Sequence, residues 1–127
     1  MDNKSIVNTT GAPAPIGPYS QAVKLNNMLF VSGQIPIDPK TGDLIQNDIV
    51  EETRQVMENI KAILESAELT FEHVVKCSIF VSDLDHFVTI NEVYGEYFGQ
   101  TAPARETVEV SRLPKNVNVE ISCIAGW

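Results

Sequence analysis

The sequence predicts an α+β sandwich: one mixed β-sheet with two helices packed on a single face. Two observations carry the expectation. Apolar residues recur at helical spacing in one segment opening at Asp48 and in another opening near Asp85. β-Branched and aromatic runs fill the chain before, between and after them, so the order reads strand, strand, helix, strand, helix, strand, strand.

Each element has a local signature. The opening, MDNKSIVNTTGAPAP, reads as an arm or loop rather than a linker. QAVKL and MLFVSGQI are strand-like runs on either side of Asn26-Asn27, which suits a tight hairpin turn. IDPKTGD is a turn-rich connection punctuated by Pro39 and Gly42. Asp48 is the expected N-cap of the first helix, with Glu51 placed for a capping box. Ile49, Thr53, Val56, Met57, Ile60, Ile63, Leu64 and Ala67 form its apolar stripe, while Glu51, Glu52, Arg54, Glu58, Lys61 and Glu65 fall on the other side. HVVKCSIFVSD is a strand. DLDHFVTINEVYGEYFG carries Phe87, Ile90, Tyr94, Tyr97 and Phe98 on one face of a second helix, capped by Asp83 or Asp85 and ended by Gly99.

A length of 127 residues with 43% hydrophobic content predicts one domain, 1–127. The formal charge of −8 disfavours contact with a phosphate backbone, so no nucleic-acid partner is expected. No apolar run reaches membrane-spanning length and the opening has no signal-peptide core, which predicts a cytoplasmic protein with no membrane partner. Cys77 and Cys123 sit in apolar runs and read as small buried hydrophobes. His73 and His86 lack partners at ligand spacing, so no metal is expected. Phe30, Phe80 and Ile124 give the sheet face away from the helices more apolar side chains than solvation allows, which predicts association.

The closing stretch, TAPARETVEVSRLPKNVNVEISCIAGW, reads as a hairpin around Leu113–Asn116. Arg105, Thr107, Glu109 and Ser111 share one face of its first strand; Asn118, Glu120 and Ser122 share one face of its second. Matching apolar to apolar faces puts Arg105 opposite or diagonal to Glu120 on a common polar face. That pair reads either as a cross-strand salt bridge or as a carboxylate clamp beside a proton-transfer group, and spacing alone does not choose.

Four stretches, APAPIGPYSQAV (12–23), VSGQIPIDPKTG (31–42), FVSDLDHFVTINEVYGEYF (80–98) and PARETVEVSRLPKNVNVEISCIA (103–125), resemble in order and spacing the RidA family, also called YjgF, of enamine/imine deaminases. The resemblance covers essentially the whole chain. It implies a chorismate-mutase-like homotrimer whose sheets curl into a central β-barrel, with clefts between subunits. It also implies hydrolysis of 2-imino acids derived from enamines such as 2-aminoacrylate, giving 2-keto acids and ammonia, with no cofactor. The matching positions make Arg105 and Glu120 the catalytic pair, and Tyr19, Ser32, Gly33, Asn91, Arg105 and Thr107 the substrate-binding set. Glu109 and Arg112 are assigned to structure or the subunit interface. Two departures stand out: Glu106-Thr107 replaces a common Ser-Cys, excluding a cysteine nucleophile there, and Ser122 replaces a frequent glutamate. A rival reading is a non-catalytic module sensing 2-keto acids or related small carboxylates. A ribonuclease role, a label some relatives carry, is opposed by the negative charge and by the lack of a catalytic histidine pair.

Overall fold

Asn26, in the left-handed region at φ 53°, turns β2 (Ala22–Leu25) back onto β3 (Met28–Gln34), as the Asn-Asn pair predicts. The structure, a computed structural model, describes residues 4–127. Part of the expected opening arm is instead an edge strand: β1 (Lys4–Val7) pairs antiparallel with β2, and residues 1–3 of the arm lie outside the described residues. Asp48 caps α1 (Ile49–Ser66), its carboxylate accepting from the Glu51 backbone N–H at 2.8 Å. The second half of the expected capping box is not made, because the Glu51 carboxylate accepts from the Asn47 side chain. β4 (Val74–Val81) leads through a 3₁₀ turn capped by Asp83 into α2 (Phe87–Gly95). α2 ends at Gly95 rather than at the expected Gly99; from Glu96 to Phe98 each N–H bonds three residues back, tightening the chain out of the α-helix.

The closing strands are not a hairpin. The sheet runs β1-β2-β3-β6-β4-β5, with β5 (Ala104–Glu109) parallel to β4 and β6 (Val119–Gly126) antiparallel to both β3 and β4. The cause is the helical crossover: a strand reached through α2 lands parallel beside the strand it left. β6, whose alternate residues Val119, Ile121, Cys123 and Ala125 are buried, takes the central slot. β5 carries Arg105, Glu106 and Glu109 and takes the edge, where charge also discourages further pairing.

Both helices cover one sheet face. Val56, Met57, Ile60, Ile63 and Leu64 of α1 and Ile90 and Tyr94 of α2 pack on Leu29, Val31, Cys77, Ile79, Val81 and the buried residues of β6. Glu52 departs from its expected solvent side. It is 1% exposed, and its carboxylate accepts from the Asn118 backbone N–H at 2.6 Å and side-chain amide at 2.9 Å, anchoring the start of β6. Phe30 and Ile124 are register partners on the other face. Phe30 and Val108 there are exposed, and Phe80 and Ile124 are half-buried.

Candidate functional site

The one-residue offset between Val31/Cys123 and Gln34/Ile121 is a β-bulge at Ser32-Gly33. It brings the Gly33 backbone under the Glu120 side chain. A Cβ built at Gly33 would fall on Glu120 Oε2 and lie 2.9 Å from Cδ, so only glycine admits this approach. Around the carboxylate is a cavity of about 370 Å³, lined by Tyr19, Ser32, Gly33, Ile16, Ile35 and Pro114. Ser32 donates its hydroxyl to the Ser20 carbonyl, leaving only its oxygen lone pairs for a ligand. Glu120 is half-buried and makes no ion pair among the described residues. Burial alone pushes its carboxyl above the usual carboxylate range, toward values useful for proton transfer.

Arg105 is elsewhere. Its register partner on β4 is Cys77, on the helix-covered face, whereas the partner of Glu120 is Phe80, on the open face. The expected common polar face therefore does not exist. The two residues lie on opposite sides of the sheet, separated by roughly 10 Å along the strands and roughly 10 Å across them. At the sheet edge the guanidinium lies 5.1 Å from the Tyr94 ring centroid and 5.6 Å from that of Phe87, and donates to Asn91 Oδ1 at 2.6 Å. No carboxylate pairs with it among the described residues, so its charge is held by two ring faces and one amide oxygen. Such a cation is available to an anion.

The described chain thus brings together Tyr19, Ser32, Gly33 and Glu120 on one face, and Asn91, Arg105 and Thr107 on the other. The Thr107 and Tyr94 hydroxyl oxygens are buried without partners. Glu106 turns to the open face, pairing with Lys76 at 2.9 Å and accepting from Ser78; these two contacts, Ser78 foremost, lower its pKa. Cys77 and Cys123 are free, buried register partners whose thiols burial pushes up, which makes them poor nucleophiles. Glu109 accepts from the Leu84 backbone N–H at 2.9 Å, a structural bond at the entry to α2. Among the described residues no group of three potential metal ligands forms.

Phe87 and Tyr94 flank Asn91 at i−4 and i+3, so the cradle around Arg105 was visible as one helix face. Ile16, Ile35 and Pro114 carry no comparable signal. They are loop and bulge-proximal residues, joined only when the sheet assembles.

Residues 9–126 match a family model described as Endoribonuclease L-PSP. A RutC family protein of Pyrococcus horikoshii is 57% identical over 96% of this chain and 97% of its own length. The chloroplastic Reactive Intermediate Deaminase A of Arabidopsis thaliana is 43% identical over 96% of this chain, which spans 65% of that longer protein. The crystal structure of E. coli TdcF with bound serine superposes with a TM-score of 0.92, at 44% identity, covering 97% of this chain and 98% of that one. The chain belongs to the YjgF/RidA family.

Proposed function

We propose that the protein hydrolyses 2-imino acids, the tautomers of enamines such as 2-aminoacrylate, to 2-keto acids and ammonia. The observation that carries the reading is the Glu120 carboxylate: half-buried, without a cation, seated on Gly33 in a cavity of small-molecule size. A carboxylate in that state is a better base than one in water, and removal of a water proton is what addition to an imine carbon requires. Water adds to C2 as Glu120 takes one of its protons and passes it to nitrogen, giving a tetrahedral amino alcohol. Glu120 then takes the hydroxyl proton and delivers it to nitrogen as the C2–N bond breaks, so that the C2–O bond becomes the keto group and ammonia leaves. An imine is already an activated electrophile, so the reading calls for no cofactor. The deaminase name of the Arabidopsis relative and the serine bound to TdcF support a small amino-acid-like ligand.

Substrate orientation falls to Arg105, whose planar fork matches a carboxylate. Within one chain it sits on the wrong face to reach a ligand over Glu120. The reading therefore places the cleft between subunits, with Arg105, Asn91 and Thr107 of one copy facing Tyr19, Ser32, Gly33 and Glu120 of the next. A homotrimer whose open sheet faces curl into a central barrel supplies such clefts and covers Phe30, Phe80, Val108 and Ile124. In that assembly the single-domain chain, acting in the cytoplasm, destroys imines released by pyridoxal-phosphate-dependent serine and threonine dehydratases and so protects other enzymes of that cofactor class. The nuclease description of the family model is opposed by the −8 charge.

The test is a coupled assay. A dehydratase supplies the imine from its amino acid, and disappearance of the imine is followed with and without this protein. Faster loss upholds the deaminase. Binding of pyruvate without faster loss would replace it with the sensing module.

A further inference from the structure

Glu120 is the second residue of β6, so whatever fixes the start of that strand also places the carboxylate. Asn118, two residues earlier, has a partner for every polar group it carries. Its backbone N–H and side-chain amide donate to the two carboxylate oxygens of Glu52 at 2.6 and 2.9 Å. Its side-chain oxygen accepts from the Ser82 hydroxyl at 2.9 Å, and its carbonyl accepts from the Ser82 N–H at 3.1 Å. One residue thus ties β6 to α1 and to the end of β4. Glu52 pairs with no cation among the described residues and stands in the first turn of α1, whose N-terminal end favours negative charge. A buried polar network with every member satisfied holds a strand in one position, with a directionality that apolar contacts lack.

The cavity over Glu120 draws on both sides of this hub. Before it, Lys115 and Asn116 take left-handed φ values of 57° and 56°, and that unfavourable turn carries Pro114 in the cavity wall. After it, Glu120 follows about 7 Å further along the strand and sits on the Gly33 bulge. We propose that Glu52 and Asn118 are positioning residues for Glu120: their paired hydrogen bonds pin the start of β6 and so hold the carboxylate against Gly33, across the cavity from Pro114. The inference rests on the reading of Glu120 as the base. The groups around that carboxylate are Ser32 and Gly33 of β3, its register partner Phe80 of β4, and Tyr19, the one other titratable side chain in the cavity lining. Burial alone raises the Glu120 carboxyl, so a loosened β6 that lets it swing into water returns it toward the ordinary value of 4.5.

The test uses the full chain in its native assembly and two readouts. One is the titration midpoint of Glu120 by ¹³C NMR of labelled glutamate carboxyls, its signal assigned by loss in Glu120→Gln. The other is imine turnover. Glu52→Gln sets an amide N–H against an Asn118 donor, and Asn118→Asp sets carboxylate against carboxylate. Each should lower the midpoint and cut kcat/KM on the order of 10- to 100-fold. The double variant Glu52→Gln/Asn118→Asp reverses the polarity of the side-chain pair, leaves the Ser82 bonds in place, and should recover both readouts to within about threefold. The control is Ile63→Val or Ile63→Ala, whichever melts closest to Glu52→Gln; Ile63 is buried in α1, roughly 16 Å along the helix from Glu52. It should lose stability and keep the native midpoint and turnover. A folded Glu52→Gln with native midpoint and turnover, an equal change in the control, or a folded double variant that recovers neither readout overturns the positioning role. Where Glu52→Gln does not fold, Ser82→Ala removes one bond from the same hub, and a native midpoint there overturns the role as well. Absence of hydrolysis by the native protein, with the midpoints still moving as described, overturns the proposed reaction and upholds the positioning.

Discussion

Replacing Gly33 by alanine should separate catalysis from folding. The new Cβ falls on Glu120 Oε2 and stands 2.9 Å from Cδ and 3.1 Å from Cγ, where carbon pairs rest at about 3.5–4.0 Å. Turning the carboxylate alone relieves only the first of these contacts. The whole Glu120 side chain must move to another rotamer, which carries its oxygens off the bulge. The backbone tolerates the change, because Gly42 is the described glycine with positive φ and Gly33 is not. The cost is of the overpacking kind, about 1–3 kcal/mol, against a typical domain stability of about 5–15 kcal/mol, so the fold survives. Turnover does not: a reacting group misplaced by about 1 Å costs on the order of 100-fold. Imine hydrolysis and thermal unfolding of the same preparation are the assays. The Gly33→Ala/Glu120→Gln double variant should be no slower than Glu120→Gln, since the first change acts through the second residue. Wild-type turnover in folded Gly33→Ala would refute the placement of Glu120 in the chemistry.

Glu120→Gln should lower kcat by about 100-fold or more while keto-acid affinity changes little, because the amide cannot accept the proton. Equal losses in rate and affinity would make Glu120 a binding residue. Because burial raises the Glu120 carboxyl, the rate of the native protein should fall as pH drops through a value above 4.5, the ordinary carboxylate value, and the residual activity of the glutamine variant should lack that limb. The linkage sign is set by the same shift: a raised folded-state value makes the ionised form a destabilising one. Stability contributed by the protonated form is lost as pH rises through the folded value, so Glu120→Gln should unfold at a higher temperature than the native chain at pH 7. Arg105→Lys keeps the charge but loses the fork and its flat seat on Phe87 and Tyr94. It should weaken pyruvate binding about tenfold or more with an unchanged circular-dichroism spectrum, and native affinity in the lysine variant would remove Arg105 from substrate recognition. Ile124→Asp should give a smaller particle by light scattering and no activity, whereas an active monomer would defeat the shared cleft.

What the sequence disclosed and what it withheld divide along one physical line. Asp48 as a cap, the Asn26 turn and the apolar stripe of α1 are local, each decided by a few adjacent residues, and each is where the pattern put it. The register of the closing strands is not local. Matching apolar faces assumes that the two strands are neighbours, and they are not: β4, nearly thirty residues before β5, lies between them. Charge density on β5 marked an edge strand, and the alternating burial of β6 marked a central one. Read that way, the helical crossover would have put Arg105 under α2 and left Glu120 on the open face. The separation also reverses the role of the apolar open face. Had Arg105 and Glu120 faced one another in one chain, Phe30, Phe80 and Ile124 would only have argued for solubility by association. With the two groups on opposite faces, the proposed reaction needs a second copy over those side chains to bring a cation and a base to one substrate, so in that proposal assembly and catalysis stand or fall together.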